Sequence, residues 1–127
     1  MIVKGGEPKT INIEDGLHTG KIKVCEARTV EGKDYSYLDV YIGVVDQGQP
    51  ETEIKVGYPL PKEGEGLNEK MELGKLVERF TGQKIEPGKD YDLDEIIVGE
   101  VSFQTIQNEK GYAEVLKKSL KPYKKEQ

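Results

Sequence analysis

Strict alternation over residues 35–45 is the feature that most constrains the fold of this chain. Aliphatic side chains occupy every second position, namely Leu38, Val40, Ile42 and Val44. The positions between them carry a second set that is rich in tyrosine: Tyr35, Tyr37, Asp39, Tyr41 and Gly43. Successive side chains of a strand point to opposite faces of a sheet. The pattern therefore predicts a strand with one face on a hydrophobic core and one face that is exposed or binds something.

Weaker patterns on either side predict two neighbouring strands. Over residues 20–30, Ile22 and Val24 are expected on one face, and Lys21, Lys23 and Cys25 on the other. Residues 52–58 predict a third strand in which Lys55 points outward, whereas the inward positions hold Ile54, Val56 and Tyr58. The prolines that follow, Pro59 and Pro61, end the sheet pairing.

A helix and a closing pair of strands are predicted next. Asn68 is the predicted N-cap of the helix and Gly82 its C-terminal stop. Between them, apolar residues fall at helical spacing: Leu73, Leu76, Val77 and Phe80. A short helical turn near Ile96, a fourth strand over 99–106, a turn over 108–111 and a fifth strand over 112–120 complete the pattern.

The order of these elements is three strands, a helix and two strands. It predicts an all-β fold, a β-barrel with one helix, of the five-stranded and partly open oligonucleotide-binding (OB) type, whose helix lies between strands three and four. The predicted OB-fold domain covers residues 16–122, with an N-terminal arm at 1–15 and a polar C-terminal tail at 123–127. An SH3-like barrel would lack the central helix. A ferredoxin-like fold would need a helix between its first two strands, where only a tight turn fits.

Composition excludes several classes of function. The chain has 127 residues, which fits one domain, and its single cysteine, Cys25, has no partner for an internal disulfide. His18 is the only histidine, and there is neither a nucleophile elbow nor a phosphate-binding glycine loop. No apolar run is long enough for a membrane span or a signal peptide. The sequence therefore predicts a cytoplasmic, non-enzymatic protein with no catalytic residues, metal, cofactor or membrane contact.

Charge is unevenly distributed within a net charge of −5. Residues 86–100 are strongly acidic, but the EF-hand spacing fails because the twelfth position counted from Asp90 is Val101. We interpret this segment as a solvated acidic turn. Lysines gather instead near the C-terminus, where they indicate either phosphate contacts or a solubilising tail: Lys117, Lys118, Lys121, Lys124 and Lys125.

The tyrosine-bearing face of the second strand is the predicted nucleic-acid interface. In OB-folds this face binds oligonucleotides, and bases stack on aromatic rings with ~1–3 kcal/mol each. The predicted contacts are Tyr35, Tyr37, Tyr41, Lys55, Lys21 and Lys23, with Lys117 and Lys121 from the basic end. Two observations favour an alternative: tyrosines also pack across exposed strands or against an arm, and Asp39 would repel phosphate.

Two stretches carry a resemblance to a known family. They are KVGYPLPKEGEGLNEKMELGKLVERFTG at residues 55–82 and DLDEIIVGEVSF at residues 92–103. This part of the chain resembles small phage and archaeal OB-fold proteins that bind single-stranded DNA in replication. The shared features are a strand ending in Tyr58-Pro59, the helix LGKLVERF and a strand opened by Val98-Gly99, with Glu100 where a lysine is common.

The resemblance extends over roughly residues 16–122. It implies weakly sequence-specific binding of single-stranded DNA in replication or recombination, with RNA as a possible ligand and a replication protein or a second copy as a possible partner. The alternative is an OB-fold protein-interaction or assembly module that binds no nucleic acid. The net charge and the acidic segment favour this alternative.

Overall fold

Six strands of one antiparallel sheet dominate the part of the chain that the computed structural model describes, which is residues 1–2, 13–33, 35–45, 52–62 and 64–123. The strands are β1 (Gly16–Thr29), β2 (Ser36–Val44), β3 (Glu53–Pro59), β4 (Glu100–Gln107), β5 (Ala113–Val115) and β6 (Lys121–Pro122). Two helices, α1 (Glu72–Thr81) and α2 (Leu93–Ile96), separate β3 from β4, and a 3₁₀ turn at Lys117–Ser119 separates β5 from β6. The prediction of an all-β architecture with a helix after the third strand is confirmed.

The sheet has the strand order β3-β2-β1-β4-β5, with β6 also paired to β4. The long strand β1 lies at its centre, because its residues 20–29 pair with β2 and its residues 16–21 pair with β4. The two ends of this path, β3 and β5, have no ladder between them among the described residues. A side-chain bond spans the gap instead: the Tyr58 hydroxyl donates to the Lys117 carbonyl at 2.9 Å.

The core lies on one face of this sheet, under the helix α1. The inward side chains of β2 are all buried, as the alternation predicts: Leu38, Val40, Ile42 and Val44. From α1, Leu73, Leu76 and Val77 are fully buried. The helix ends as predicted at Gly82, whose φ of 72° is left-handed and whose N–H donates to the Glu78 carbonyl at 2.8 Å.

The predicted N-cap at Asn68 is wrong, because α1 begins one turn later, after Met71. The Asn68 side chain instead accepts hydrogen bonds from the backbone N–H groups of Lys70 and Met71, at 2.9 and 3.2 Å. This local turn holds the Asn68 carbonyl against the helix, where a Cβ on Gly74 would lie 1.9 Å from it. The chain therefore folds back on its own helix, and the absence of a side chain at position 74 makes room for that contact.

The predicted fifth strand over 112–120 is wrong beyond Val115. The chain leaves the ladder there because the Ser119 hydroxyl replaces a backbone carbonyl as the partner of β4: it accepts from the Gln104 N–H at 2.8 Å. The same hydroxyl donates to the Leu116 carbonyl at 2.6 Å. Pairing resumes at β6, where Lys121 lies opposite Ser102. Residues 124–127 of the predicted tail lie outside the described residues.

The predicted N-terminal arm is described only at its ends, and residues 3–12 lie outside the described residues. Ile13 is buried in the core, and the Glu14 carbonyl accepts from the Thr105 hydroxyl at 2.8 Å and is 2.6 Å from a ring nitrogen of His18. These contacts fix the entry into β1. Neither helix of the described residues is long and apolar enough to cross a membrane.

Candidate functional site

The sheet face that points away from the core is built by β1, β2 and β3 and is referred to as the outer face. On β2 its residues are Tyr37, Asp39, Tyr41 and Gly43, which alternate with the buried aliphatic set. Strand register places Arg28 and Pro59 beside Tyr37, Glu26 and Gly57 beside Asp39, and Val24 and Lys55 beside Tyr41. The structure therefore brings the predicted residues Tyr37, Tyr41 and Lys55 to one surface.

A β-bulge in β1 corrects the predicted sidedness of that strand. The register shifts between Ile22, which pairs with Ile42, and Val24, which pairs with Tyr41. An extra residue reverses the facing of everything after it. Val24 consequently lies on the outer face and is 45 % exposed, and Cys25 packs against the core, so the prediction for both residues is wrong.

Cys25 is held in an unreactive setting by this reversal. Burial, and secondarily the charge of Asp94, raises the pKa of its thiol to about 11. Its Sγ lies 3.9 Å from the Ile97 carbonyl, on the core side of β1. A thiol with so high a pKa contains little thiolate at neutral pH, and the thiolate is the reactive form.

The bulged residue, Lys23, reaches across the outer face. Its Cε lies 3.0 Å from the position that a Cβ on Gly43 would take, and its Nζ is 3.3 Å from the Glu53 carboxylate on β3. Lys21, which pairs with Gly43 on β2 and with Glu100 on β4, marks the boundary between the two halves of the sheet. Both predicted lysines thus border the tyrosine-bearing strand.

Asp39 is almost fully buried, at 2 % exposure, beneath two cations. Arg28 Nε lies 2.8 Å from its Oδ2 and Arg28 Nη2 lies 3.4 Å from its Oδ1, while Lys55 Nζ is 4.0 Å from Oδ2. Gly57 leaves space above the carboxylate, since a Cβ there would lie 3.1 Å from Oδ1. Arg28 and Lys55 thus cover the Asp39 carboxylate, while Glu26 lies beside it on β1. The prediction that Asp39 repels phosphate considered its charge alone and left out its pairing with Arg28 and Lys55.

Arg28 also organises the aromatic residues, and sequence reasoning missed it. Its guanidinium carbon lies 5.0 Å from the centroid of the Tyr37 ring, and the edge of Tyr35 meets Tyr37 at a centroid distance of 5.7 Å and an angle of 86°. The hydrogen bond to Asp39 raises the pKa of Arg28. The sequence carried no signal for this position, because uninterrupted alternation from Ile22 places Arg28 on the core face and only the bulge brings it to the outer face.

The two remaining predicted contacts lie elsewhere. Lys117 is in the 3₁₀ turn, where its carbonyl accepts from Tyr58 and from Arg79 Nη2, each at 2.9 Å. Its exposed side chain is not part of the outer face of β1–β3. Lys121 lies on β6 opposite Ser102 and lines a groove where β1, β4 and β6 meet.

The acidic segment packs on the opposite side of β1. Leu93, Ile96 and Ile97 anchor it to the core, and Cys25 on the inner side of β1 is close enough to Asp94 for its pKa to respond. The carboxylates themselves are exposed: Glu86, Asp90, Asp92, Asp94, Glu95 and Glu100. Except for Glu100, which pairs with Lys21, this charge is separated from the outer face by the sheet.

In the described part of the chain, no group of three His, Cys, Asp or Glu side chains is arranged to hold a metal ion. No protein-family model matches the chain, and no curated protein matches it. What the chain binds is therefore inferred from the outer face itself, where three tyrosines lie among alternating charges. The cations are Lys21, Lys23, Arg28 and Lys55, and the carboxylates are Asp39, Glu26, Glu53 and Glu100.

Proposed function

We propose that this protein is an OB-fold module that binds single-stranded DNA with weak sequence preference and acts in replication or recombination. The observation that carries the proposal is the outer face, where Tyr35, Tyr37 and Tyr41 form an aromatic surface beside Arg28 and Lys55, the two cations that cover Asp39. Aromatic platforms within a positively charged groove are the usual means of binding single strands without reading sequence.

The connectivity supports the OB assignment. Strand order β3-β2-β1-β4-β5 with a helix between β3 and β4 is the order of a five-stranded OB barrel opened between its third and fifth strands. The bond from Tyr58 on β3 to the carbonyl of Lys117, just after β5, draws those two ends together. OB barrels bind their ligands over strands two and three, and here the tyrosines and Lys55 lie on those strands.

Binding would combine stacking with local phosphate contacts. Tyr37 and Tyr41 are four residues apart on one strand, about 13 Å at ~3.3 Å per residue. This spacing suits two bases separated by extended backbone rather than adjacent stacked bases. Arg28 extends the platform, because a planar guanidinium stacks on bases as well as on Tyr37. Lys55, Lys21 and Lys23 border the same path and would contact phosphates.

The negative net charge is compatible with this proposal because of where the charge lies. The segment at residues 86–100 is attached to the core side of the sheet, so a polyanion on the outer face meets mainly Glu26, Glu53 and Glu100. Lys23 is paired with Glu53, which leaves Lys55, Lys21 and Arg28 as the leading cations. With few phosphate contacts, affinity should depend on stacking and fall with salt at a shallow slope.

Fluorescence anisotropy with labelled oligo-dT at low and moderate salt tests the proposal. We expect saturable binding at low salt, weaker binding at moderate salt, and preference for the single strand over a duplex of equal length. An oligo-rU competitor reports on whether RNA, which differs by its 2′-hydroxyl, binds as well. Failure of oligo-dT to bind even at low salt would overturn the proposal.

The exposed carboxylates of residues 86–100 favour a second candidate, a protein-interaction or assembly module without nucleic-acid binding. Sedimentation of the chain over a wide concentration range tests self-assembly. A monomer throughout, together with oligo-dT binding, would exclude a self-assembly module and favour the first proposal.

A further inference from the structure

A groove lies on the other side of β1 from the tyrosines, where β1, β4 and β6 meet. It encloses about 510 Å³, and its lining includes Leu17, Thr19, Ser102, Lys121, Pro122 and Tyr123. We call it the β1–β4 groove. Its position on the sheet follows from register, because Leu17 and Thr19 alternate with His18 and Gly20, which face the core.

Two large side chains in this groove are exposed without a role in the core. Leu17 is 77 % exposed although it lies in β1 opposite Gln104 of β4, and Tyr123 is 40 % exposed. The Tyr123 backbone is fixed in place, since its N–H donates to the Glu100 carbonyl at 2.9 Å. An aliphatic and an aromatic side chain held apart from the core form a surface that can receive a flat apolar group.

The groove is continuous with the outer face. A smaller hollow of about 140 Å³ shares Thr19 and Tyr123 with it and also includes Lys21 and Val45. Lys21 in turn pairs with Gly43, over which Lys23 passes. A path therefore runs from Tyr41 past Lys23 and Lys21 to Tyr123, with Lys121 beyond it.

Two lysines can meet phosphates on this part of the path. Lys21 lies between Tyr41 and Tyr123, in the hollow that Glu100 also lines, and Lys121 lies beyond Tyr123. Tyr123 lies close to Lys121 in the chain and in the groove, which is the combination of ring and cation that single-strand binders use.

We propose that the β1–β4 groove is a second nucleotide subsite, in which a base stacks on Tyr123 against Leu17 and phosphates lie near Lys21 and Lys121. This inference rests on the proposed function, because it extends the path of the same DNA strand. Thr19 lies five residues before Val24, the partner of Tyr41, which is roughly 15 Å along β1. Only an oligonucleotide longer than the one that covers Tyr37 and Tyr41 reaches the groove.

The experiment compares short and long oligo-dT, of about 4 and about 12 nucleotides, in anisotropy titrations of the full chain. We expect Tyr123→Ala to weaken binding of the long oligonucleotide about tenfold, the loss of one stacked base, and to leave the short one unchanged. Leu17→Ser, at a largely exposed position, should act in the same direction. Glu100→Gln should tighten binding of the long oligonucleotide more than binding of the short one.

Tyr112→Ala is the matched control, because Tyr112 is an exposed tyrosine before β5 that lines neither the groove nor the outer face. The inference is overturned if Tyr123→Ala and Leu17→Ser bind the long oligonucleotide as the parent does, or if they weaken short and long equally. Either result leaves the proposed function standing. If the parent binds neither oligonucleotide, the proposed function and the inference both fail.

Discussion

Tyr37 and Tyr58 lie on adjacent strands, one pairing step apart, and have opposite surroundings. Tyr58 pairs with Leu38, is fully buried and donates its hydroxyl to the Lys117 carbonyl. Burial raises the pKa of its phenol, an effect that the nearby Arg79 partly offsets. Tyr37 pairs with Pro59 and lies on the outer face under Arg28, with the edge of Tyr35 against it.

The difference shows that strand register, rather than residue type, decides which tyrosines can serve binding. A shift of one residue moves a side chain from the core face to the solvent face. Tyr58 therefore contributes to holding the sheet together, whereas Tyr37 and Tyr41 are available to a ligand. Substitutions on the outer face should therefore change oligo-dT binding, whereas substitutions on the core face should change the free energy of unfolding.

The largest effect is expected from removing the rings of the outer face. Tyr37→Ala combined with Tyr41→Ala should weaken oligo-dT binding by about 2–6 kcal/mol, since each stacked base contributes ~1–3 kcal/mol. Anisotropy measures the loss, and urea unfolding should show that the fold persists. Tyr112→Ala is again the control. If the double variant binds like the parent, the tyrosines are not the binding platform.

A complementary test removes core volume from β2, the strand that also carries Tyr37 and Tyr41. Ile42→Ala should lower the free energy of unfolding by about 2–5 kcal/mol, because Ile42 is fully buried and its truncation leaves a cavity. Its neighbour on the outer face provides the matched variant, Tyr41→Ala, for which a smaller loss is expected. Urea titration measures both. Equal losses would contradict the assignment of the two faces.

Tyr58→Phe isolates the buried hydroxyl and carries a pH dependence. At neutral pH the loss of the bond to Lys117 should reduce the free energy of unfolding by about 1 kcal/mol, while Arg79 still donates to that carbonyl. Since the phenol pKa is raised in the folded state, the unfolded chain loses this proton first as pH rises above about 10. The parent should therefore lose stability progressively above that pH.

Urea midpoints measured from neutral pH to above pH 10 test whether stability falls as the pH rises. The Phe variant should fall less steeply than the parent in the alkaline range. Cys25 adds a drop between its ordinary pKa of 9.0 and its folded pKa of about 11 in both proteins, so it cancels in the comparison. A parent and variant with parallel alkaline profiles would show that Tyr58 titrates normally.

The strands and the apolar face of α1 could be predicted because each follows from local periodicity. Residues 35–45 alternate without interruption, and the buried set on β2 is the one that the alternation selects. The bulge at Lys23 could not be predicted in this way, since an extra residue looks the same as a regular strand residue in sequence. It determines which side Val24, Cys25 and Arg28 face.

The C-terminal part of the sheet shows a second feature that local sequence patterns could not predict. The strand after Val115 is interrupted because the Ser119 side chain bonds to Gln104, a long-range contact that no local pattern contains. The surroundings of Asp39 could not be predicted for the same reason. Its negative charge suggests that it repels phosphate, but its partners, Arg28 and Lys55, come from two other strands. Pairing across strands, rather than composition along one, determines the charge of the outer face.

The smallest expected effect concerns that pairing, and it is measured best by salt dependence. Lys55→Ala should lower the slope of log K against log salt concentration by about one. Asp39→Asn should act the opposite way: it frees Arg28 and Lys55 for phosphates, tightens binding by less than about 1 kcal/mol and raises the slope by up to about one. The fold should tolerate it, because Arg28 is half exposed and the amide can still accept from its guanidinium.

Glu26→Gln, opposite Asp39 on β1, removes the same charge from the same face. It should tighten binding without changing the slope, so a difference between the two variants isolates the release of the cations. Weaker binding by a folded Asp39→Asn protein would instead mean that Asp39 holds Arg28 in the position that stacks on Tyr37 and that DNA requires.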